Sequence, residues 1–170
     1  KRLAEAALGK TMTASEVSDY WFGQGLQFWI NQPGQAGQVI LQKMWLFFSG
    51  FEIPLNYNYY YQQQFSPLLR FSPVPLWLIT PLALLGGVLA KRAIRQHSLL
   101  YLFLAGYALG VILFHVSTRY RMPAVPILTV FASYGVSRLI GWVQQRQFKL
   151  LGTALIPLVL AMWIFRADAL

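Results

Sequence analysis

The run Ser117-Thr118-Arg119-Tyr120-Arg121-Met122-Pro123-Ala124-Val125-Pro126 sets two arginines in a turn between two long apolar runs. A charged side chain at the centre of a bilayer costs roughly 2.5–3.5 kcal/mol even on lenient insertion scales, so an arginine pair between two spans belongs at a bilayer surface. There it faces lipid headgroups and whatever they carry. Two roles are open to it: an interfacial anchor, or a clamp for the phosphate of a lipid-linked substrate, because guanidinium forks hold phosphate oxygens bidentately. Pro123 suits the first turn of the next span, whose early amides would point outward with the positive end of the helix dipole. An anionic leaving group at this place would be stabilised as it departs, without a proton donor.

Composition agrees with that reading. Of 170 residues 56% are hydrophobic and 11% charged, more apolar surface than a soluble domain of this size can bury. The expected fold is an all-α integral membrane protein with about four transmembrane helices, at about 74–90, 98–117, 122–142 and 150–165, following an outer helical and loop region over 1–73. The first and last spans are short, so their ends draw on flanking residues or lie where the bilayer is thin. Gly106 and Gly110 are spaced for close helix approach in the second span.

The basic residues give the orientation. Lys91, Arg92 and Arg95 fall in the first connection, and Arg138, Arg146 and Lys149 in the third, with no acid in either. All acids (Glu5, Glu16, Asp19, Glu52 and Asp168) fall on the other side, together with Arg119 and Arg121. The positive-inside rule makes loops 91–97 and 138–149 cytoplasmic and places the N-terminal region, the Arg119 turn and the C-terminus outside. A net charge of +9 split across a bilayer is not a nucleic-acid patch.

In the outer region, residues 1–9 carry neither a methionine nor an apolar signal core, which leads us to expect a fragment or a processed product. Thr13-Ala14-Ser15-Glu16 fits a capping box and predicts a helix with Val17, Tyr20, Trp21, Phe28 and Trp29 near one side, ended by Pro33-Gly34. A second apolar helix of about 12 residues after Gly37 is too short to span and is placed at the interface. Residues 50–71 read as a loop. Its Tyr57-Asn58-Tyr59-Tyr60-Tyr61 run fits an aromatic belt, or a platform for stacking sugars.

Chemistry-bearing residues are few. With no cysteine and only His97 and His115 as histidines, neither a thiolate nor a zinc spacing is present. Glu16 and Asp19 share a helix face but read as helix N-terminal acids. Glu52, before a proline turn, is expected to pair with Lys43 or Arg121. His115 is open to a hydrogen bond with a neighbouring helix or to ligation of a pigment or haem.

The Ser117–Pro126 run, continuing into Ala132-Ser133-Tyr134-Gly135, resembles the late periplasmic turn and following helix of bacterial family 39-like membrane glycosyltransferases. These are GT-C enzymes related to the protein O-mannosyltransferases and the aminoarabinose transferase of lipid A. Glu16-Val17-Ser18-Asp19-Tyr20-Trp21, Pro33, Lys43, Phe51-Glu52-Ile53-Pro54 and Phe65-Ser66-Pro67-Leu68-Leu69 resemble the same group's outer segment, so the likeness covers most of the chain from about residue 3 to 140. It implies inverting transfer of a sugar from a polyprenyl-phosphate donor at the outer face of the bacterial inner membrane. Arg119, Tyr120 and Arg121 would hold the donor phosphate, and Lys43 and Glu52 would shape the outer site. No cofactor is implied beyond the lipid-linked donor as substrate, and a divalent metal is left open.

The family's whole enzyme has more spans than these four, and the acids thought to activate the acceptor lie in an outer loop that this chain lacks. Neither Asp19 nor Glu52 matches that position, so no catalytic base is assigned and the chain alone is expected to be inactive. The expected identity is the C-terminal part of such an enzyme, partnered by membrane lipid, the donor and a missing N-terminal half or other membrane subunits. The alternative is a non-catalytic scaffold subunit of a larger membrane complex, derived from the same ancestry.

Overall fold

The structure is a computed structural model and describes residues 2–53, 59–67, 75–91 and 96–166. Pro54, Tyr57, Asn58, Leu68, Leu69, Val74, Arg92, Arg95 and Asp168, named above, lie outside the described residues. The chain is helical with no strand among the described residues, and it divides into two compact units, Lys1–Gln42 and Lys43–Leu170. Compactness therefore divides the chain at residue 42, whereas hydropathy alone suggests a division at 73.

In the first unit, α1 (Arg2–Leu8) ends at Gly9, whose φ of 66° is the left-handed conformation that closes a helix and that glycine adopts without strain. Glu5 accepts the Met12 backbone N–H at 2.9 Å and so ties the link that follows back to α1. The capping box forms as expected at the start of α2 (Ala14–Asn31). The Thr13 hydroxyl accepts the Glu16 N–H at 3.4 Å, and the Glu16 carboxylate accepts the Thr13 N–H at 2.8 Å. The Thr13 backbone N–H, then its hydroxyl, then Lys10 hold the Glu16 carboxyl down from 4.5 to about 2.

α2 buries none of its residues; Phe22, Leu26, Trp29 and Ile30, spaced to share one face, are all exposed. Pro33 does more than end this helix. It is the first residue of α3 (Pro33–Phe48), where a missing N–H costs nothing, and only Gln32 separates the two helices. α3 is thus 16 residues long, and starts earlier than the apolar run after Gly37 suggests.

The second unit holds the end of α3 and the remaining helices. Within the stretch expected as a loop, the described residues Tyr59–Gln62 form a short helix, α4. It is followed by α5 (Leu76–Ala90), α6 (Ser98–Leu113), α7 (Thr118–Arg121), a 3-10 turn at Met122–Ala124, α8 (Val125–Gln144) and α9 (Phe148–Arg166). The two-arginine segment is therefore not an open turn but the first turn of a helical rod. Pro123 and Pro126 are accommodated because they fall where helical N–H groups lack carbonyl partners, and the tighter 3-10 geometry marks their passage.

Two helical stretches, Thr118–Gln144 with 27 residues and Phe148–Arg166 with 19, are long and apolar enough to cross a membrane. They bury Leu128, Phe131, Trp142 and Leu158, but many of their large apolar side chains point outward: Val130, Ile140, Ile156, Val159, Leu160 and Trp163 are all exposed. A soluble core helix would turn such residues inward, so the surface suits lipid. α5 and α6 are apolar but have 15 and 16 residues, or ~22–24 Å against a hydrocarbon core of ~30 Å. The second expected span, 98–117, stops being helical at Leu113.

Packing centres on α5 and α8. A Cβ on Gly86 would sit 1.8 Å from the Phe131 carbonyl oxygen, and one on Gly135 would sit 2.7 Å from that of Leu82, so the two backbones meet at this glycine pair. Gly106 and Gly110, the pair with the expected spacing, have nothing within 4 Å of such a Cβ. α6 is attached instead through Tyr101, whose hydroxyl donates to the Gly87 carbonyl at 2.7 Å and whose ring lies 4.8 Å from that of Phe131.

Replacing Gly86 by alanine should therefore destabilise the protein by about 1–3 kcal/mol through overpacking against backbone, whereas Gly106→Ala should be neutral or slightly stabilising; thermal unfolding in detergent micelles separates the two. The Glu16 cap has its own pH signature. Because its folded pKa is depressed, its contribution is fully present above pH 4.5 and is lost as the pH falls toward 2. Amide exchange at the start of α2 should show that acid step, and Glu16→Gln should remove it.

Candidate functional site: a junction of helix ends

The carbonyls of a helix's last turn have no partner within the helix, and in an apolar setting each needs a donor from elsewhere. At one end of the second unit, α3, α6 and α9 all terminate, α5 begins, and the rod begins with α7. The chain fills this place with donors. Lys43 Nζ reaches the carbonyls of Phe114 at 3.2 Å and Leu113 at 3.5 Å, at the end of α6. Trp45 Nε1 donates to Ile164 at 3.2 Å and the Gly50 N–H to Phe165 at 3.0 Å, at the end of α9. Gly50 also lies so close to Trp77 of α5 that a Cβ there would come within 2.9 Å of it, and Arg166 stacks over the Trp77 ring at 5.6 Å.

Arg121 completes the junction. It is 3% exposed, and its two terminal nitrogens are fully engaged. Nη1 donates to the carbonyls of Leu46 and Ser49, both at 2.8 Å; Nη2 donates to the Phe51 carbonyl at 2.8 Å and to the Glu52 carboxylate at 3.2 Å. A cation on the carbonyls ending α3 also meets the negative end of that helix's dipole. Thr118 adds a hydroxyl bond to the Ile53 carbonyl at 3.2 Å, so both ends of α7 are fastened to the segment that follows α3.

The residues singled out from sequence thus part into two groups. Lys43, Glu52 and Arg121 lie in the junction; Glu52 pairs with Arg121, one of its two expected partners, and Lys43 serves the end of α6. Arg119 and Tyr120 are exposed on the short helix held by Arg121. Arg119 has no hydrogen-bond or ion-pair partner among the described residues. The Tyr120 carbonyl accepts the Tyr107 hydroxyl at 2.9 Å, which fixes its backbone and leaves its ring outside. His115 lies beyond the end of α6, exposed, with its ring edge-on to Tyr120 at 6.1 Å, and has no hydrogen bond to another helix among the described residues.

Asp19 is exposed on α2. Among the described residues no group of three or more histidines or acids is placed to hold a metal ion. Sequence reasoning passed over Trp45, Ser49, Gly50 and Trp77. Ser49-Gly50 directly after an apolar helix is a helix-end signal that marks the first three, whereas nothing local in the sequence marks Trp77.

Fold and site together define an all-helical chain, with two helices suited to a membrane and one arginine presented beside a clamped helix junction. No family model, curated protein or solved structure matches the chain.

Arg121→Gln should lose about 3–5 kcal/mol of stability, because it strips donors from three carbonyls at about 1–3 kcal/mol each, less what the glutamine amide replaces. Arg121→Lys should rescue little, because a single ammonium cannot span acceptors that now engage both arms of the fork. Lys43→Met, which removes a donor from an exposed helix end, should lose only about 0.3–1 kcal/mol. Chemical unfolding of the three variants in micelles gives the order.

Proposed function

We propose that the chain is the C-terminal part of a polyprenyl-phosphate-sugar-dependent membrane glycosyltransferase of the GT-C kind, and that it binds the donor's phosphate at the outer face of a bacterial inner membrane. In this reading α5, α6, the rod and α9 form four spans, with residues 91–97 and 138–149, the latter the end of α8 and its connection to α9, on the cytoplasmic side. The observation that carries it is the division of labour between the two arginines. Arg121 is consumed in holding the junction, and Arg119, two residues away on the same short helix, presents a full set of guanidinium donors to solvent or headgroups. A phosphate-binding group gains from being fixed in place by its neighbour, since a donor ordered beforehand loses less on binding.

Arg119 is therefore the donor-phosphate ligand, with Tyr120 and His115 beside it, and Arg121 the residue that positions it. During transfer the polyprenyl phosphate leaves as an anion, and the Arg119 guanidinium stabilises the charge that develops on its oxygens. The chain supplies no general base in this scheme. That group belongs to the remainder of the enzyme, as does acceptor activation.

The scaffold reading has an observation of its own, the exposed Phe22, Leu26, Trp29 and Ile30 face of α2, which suits docking against another membrane subunit. Binding separates the two readings. The purified chain in micelles should bind a polyprenyl phosphate in preference to the uncharged polyprenol. Arg119→Gln should weaken the phosphate form roughly 10- to 100-fold, the worth of a hydrogen bond to a charged group, with unchanged thermal stability and with Arg146→Gln as the silent control. Equal binding of phosphate and alcohol by the unmodified chain would sink the donor reading and leave the scaffold.

A further inference from the structure

At the end of α5, α6 and α8 opposite the junction, a groove of about 260 Å³ opens between the three helices. Leu89, Leu100, Val130 and Phe131 make its walls apolar, and Arg138 also lines it. A second recess of about 310 Å³ lies where α8 turns into α9, and its lining includes Gln145, Gln147, Trp142 and again Arg138. Arg138 is the residue common to both, so an apolar groove and a polar recess meet at one guanidinium.

The charge around this place has one sign. Lys91 follows the groove residue Ala90, and Arg146 and Lys149 flank the polar recess, whereas the sequence has no acid between Glu52 and Asp168. Arg138 is exposed, stands 5.9 Å from the Trp142 ring, and has no hydrogen-bond or ion-pair partner among the described residues. The contrast with Arg121 is direct: the same side chain, in the same unit, has every terminal nitrogen occupied at one end and both forks open at the other.

We propose that Arg138 is the headgroup ligand of a bound anionic glycerophospholipid, with the phosphate in the polar recess and one acyl chain in the groove between α5, α6 and α8. An amphiphile is the one kind of molecule that fills both spaces at once, and basic recesses between membrane helices at the cytoplasmic side hold anionic headgroups. Polar side chains beside the guanidinium supply further contacts to a glycerol-type head, and the absence of acids removes repulsion. The inference rests on the bilayer reading of these helices but not on the donor reading of Arg119.

Native mass spectrometry of the full chain, delipidated in micelles and offered equimolar phosphatidylglycerol and phosphatidylcholine, tests it. The expected result is one phosphatidylglycerol retained with about fivefold preference, the effect of one basic residue near an anionic headgroup. Arg138→Gln should abolish that preference and Arg138→Lys should keep part of it. Arg119→Gln should leave it untouched, with thermal stability in a zwitterionic detergent unchanged throughout. Equal retention of the two lipids by the unmodified chain overturns the proposal, as does a preference that survives Arg138→Gln. A preference lost in Arg119→Gln but kept in Arg138→Gln overturns it by moving the phosphate site to the junction end. A third arm with polyprenyl phosphate overturns the choice of lipid if that molecule displaces phosphatidylglycerol from Arg138.

Discussion

The contact between the Arg121 guanidinium and the end of α3 is the interaction on which the rest of the second unit depends. A helix that stops in apolar surroundings leaves carbonyls that water cannot reach, and each one left bare costs on the order of 1–3 kcal/mol. Arg121 covers three carbonyls and one carboxylate with two nitrogens, all within 3.2 Å. Because it sits at the start of the rod, the bonds that finish α3 also set the position of the longest helix. Lys43, Trp45 and Gly50 then use the same stretch of α3 to finish α6 and α9. One short segment, residues 43–53, thus closes three helices and anchors the rod.

The second constraint is the meeting of Gly86 with Gly135, which brings the backbones of α5 and α8 into contact. Helices in lipid gain little from the hydrophobic effect when they associate, so close backbone approach is one of the few sources of attraction left. With α5 and α8 locked together and α6 pinned by Tyr101 on Gly87, the three helices leave a groove at the end away from the junction. The tight crossing and the open groove are thus consequences of the same arrangement.

Three arginines divide the functional possibilities between the two ends. Arg121 is structural, and its role explains why Arg119 is held still. Arg119 and Arg138 are both exposed and have no hydrogen-bond or ion-pair partner among the described residues, at opposite ends of the helical unit. The first lies on a short helix beside an aromatic side chain and the second at the mouth of an apolar groove.

Helical class, the capping box at Thr13 and Glu16, and the apolar runs near 122–142 and 150–165 were legible in the sequence, because periodicity, composition and local caps are properties of contiguous residues. Pairing of Glu52 with a basic residue was legible as well, but not which one. What only the tertiary structure decided were the matters that depend on distant segments meeting. These are the burial of Arg121 against α3 some 70 positions earlier, the use of Lys43 to end α6, and the choice of Gly86 and Gly135 over the better-spaced Gly106 and Gly110. Arginine reads the same in a sequence whether its donors face a phosphate or a helix end; only the acceptors brought to it by the fold settle which, and those come from elsewhere in the chain.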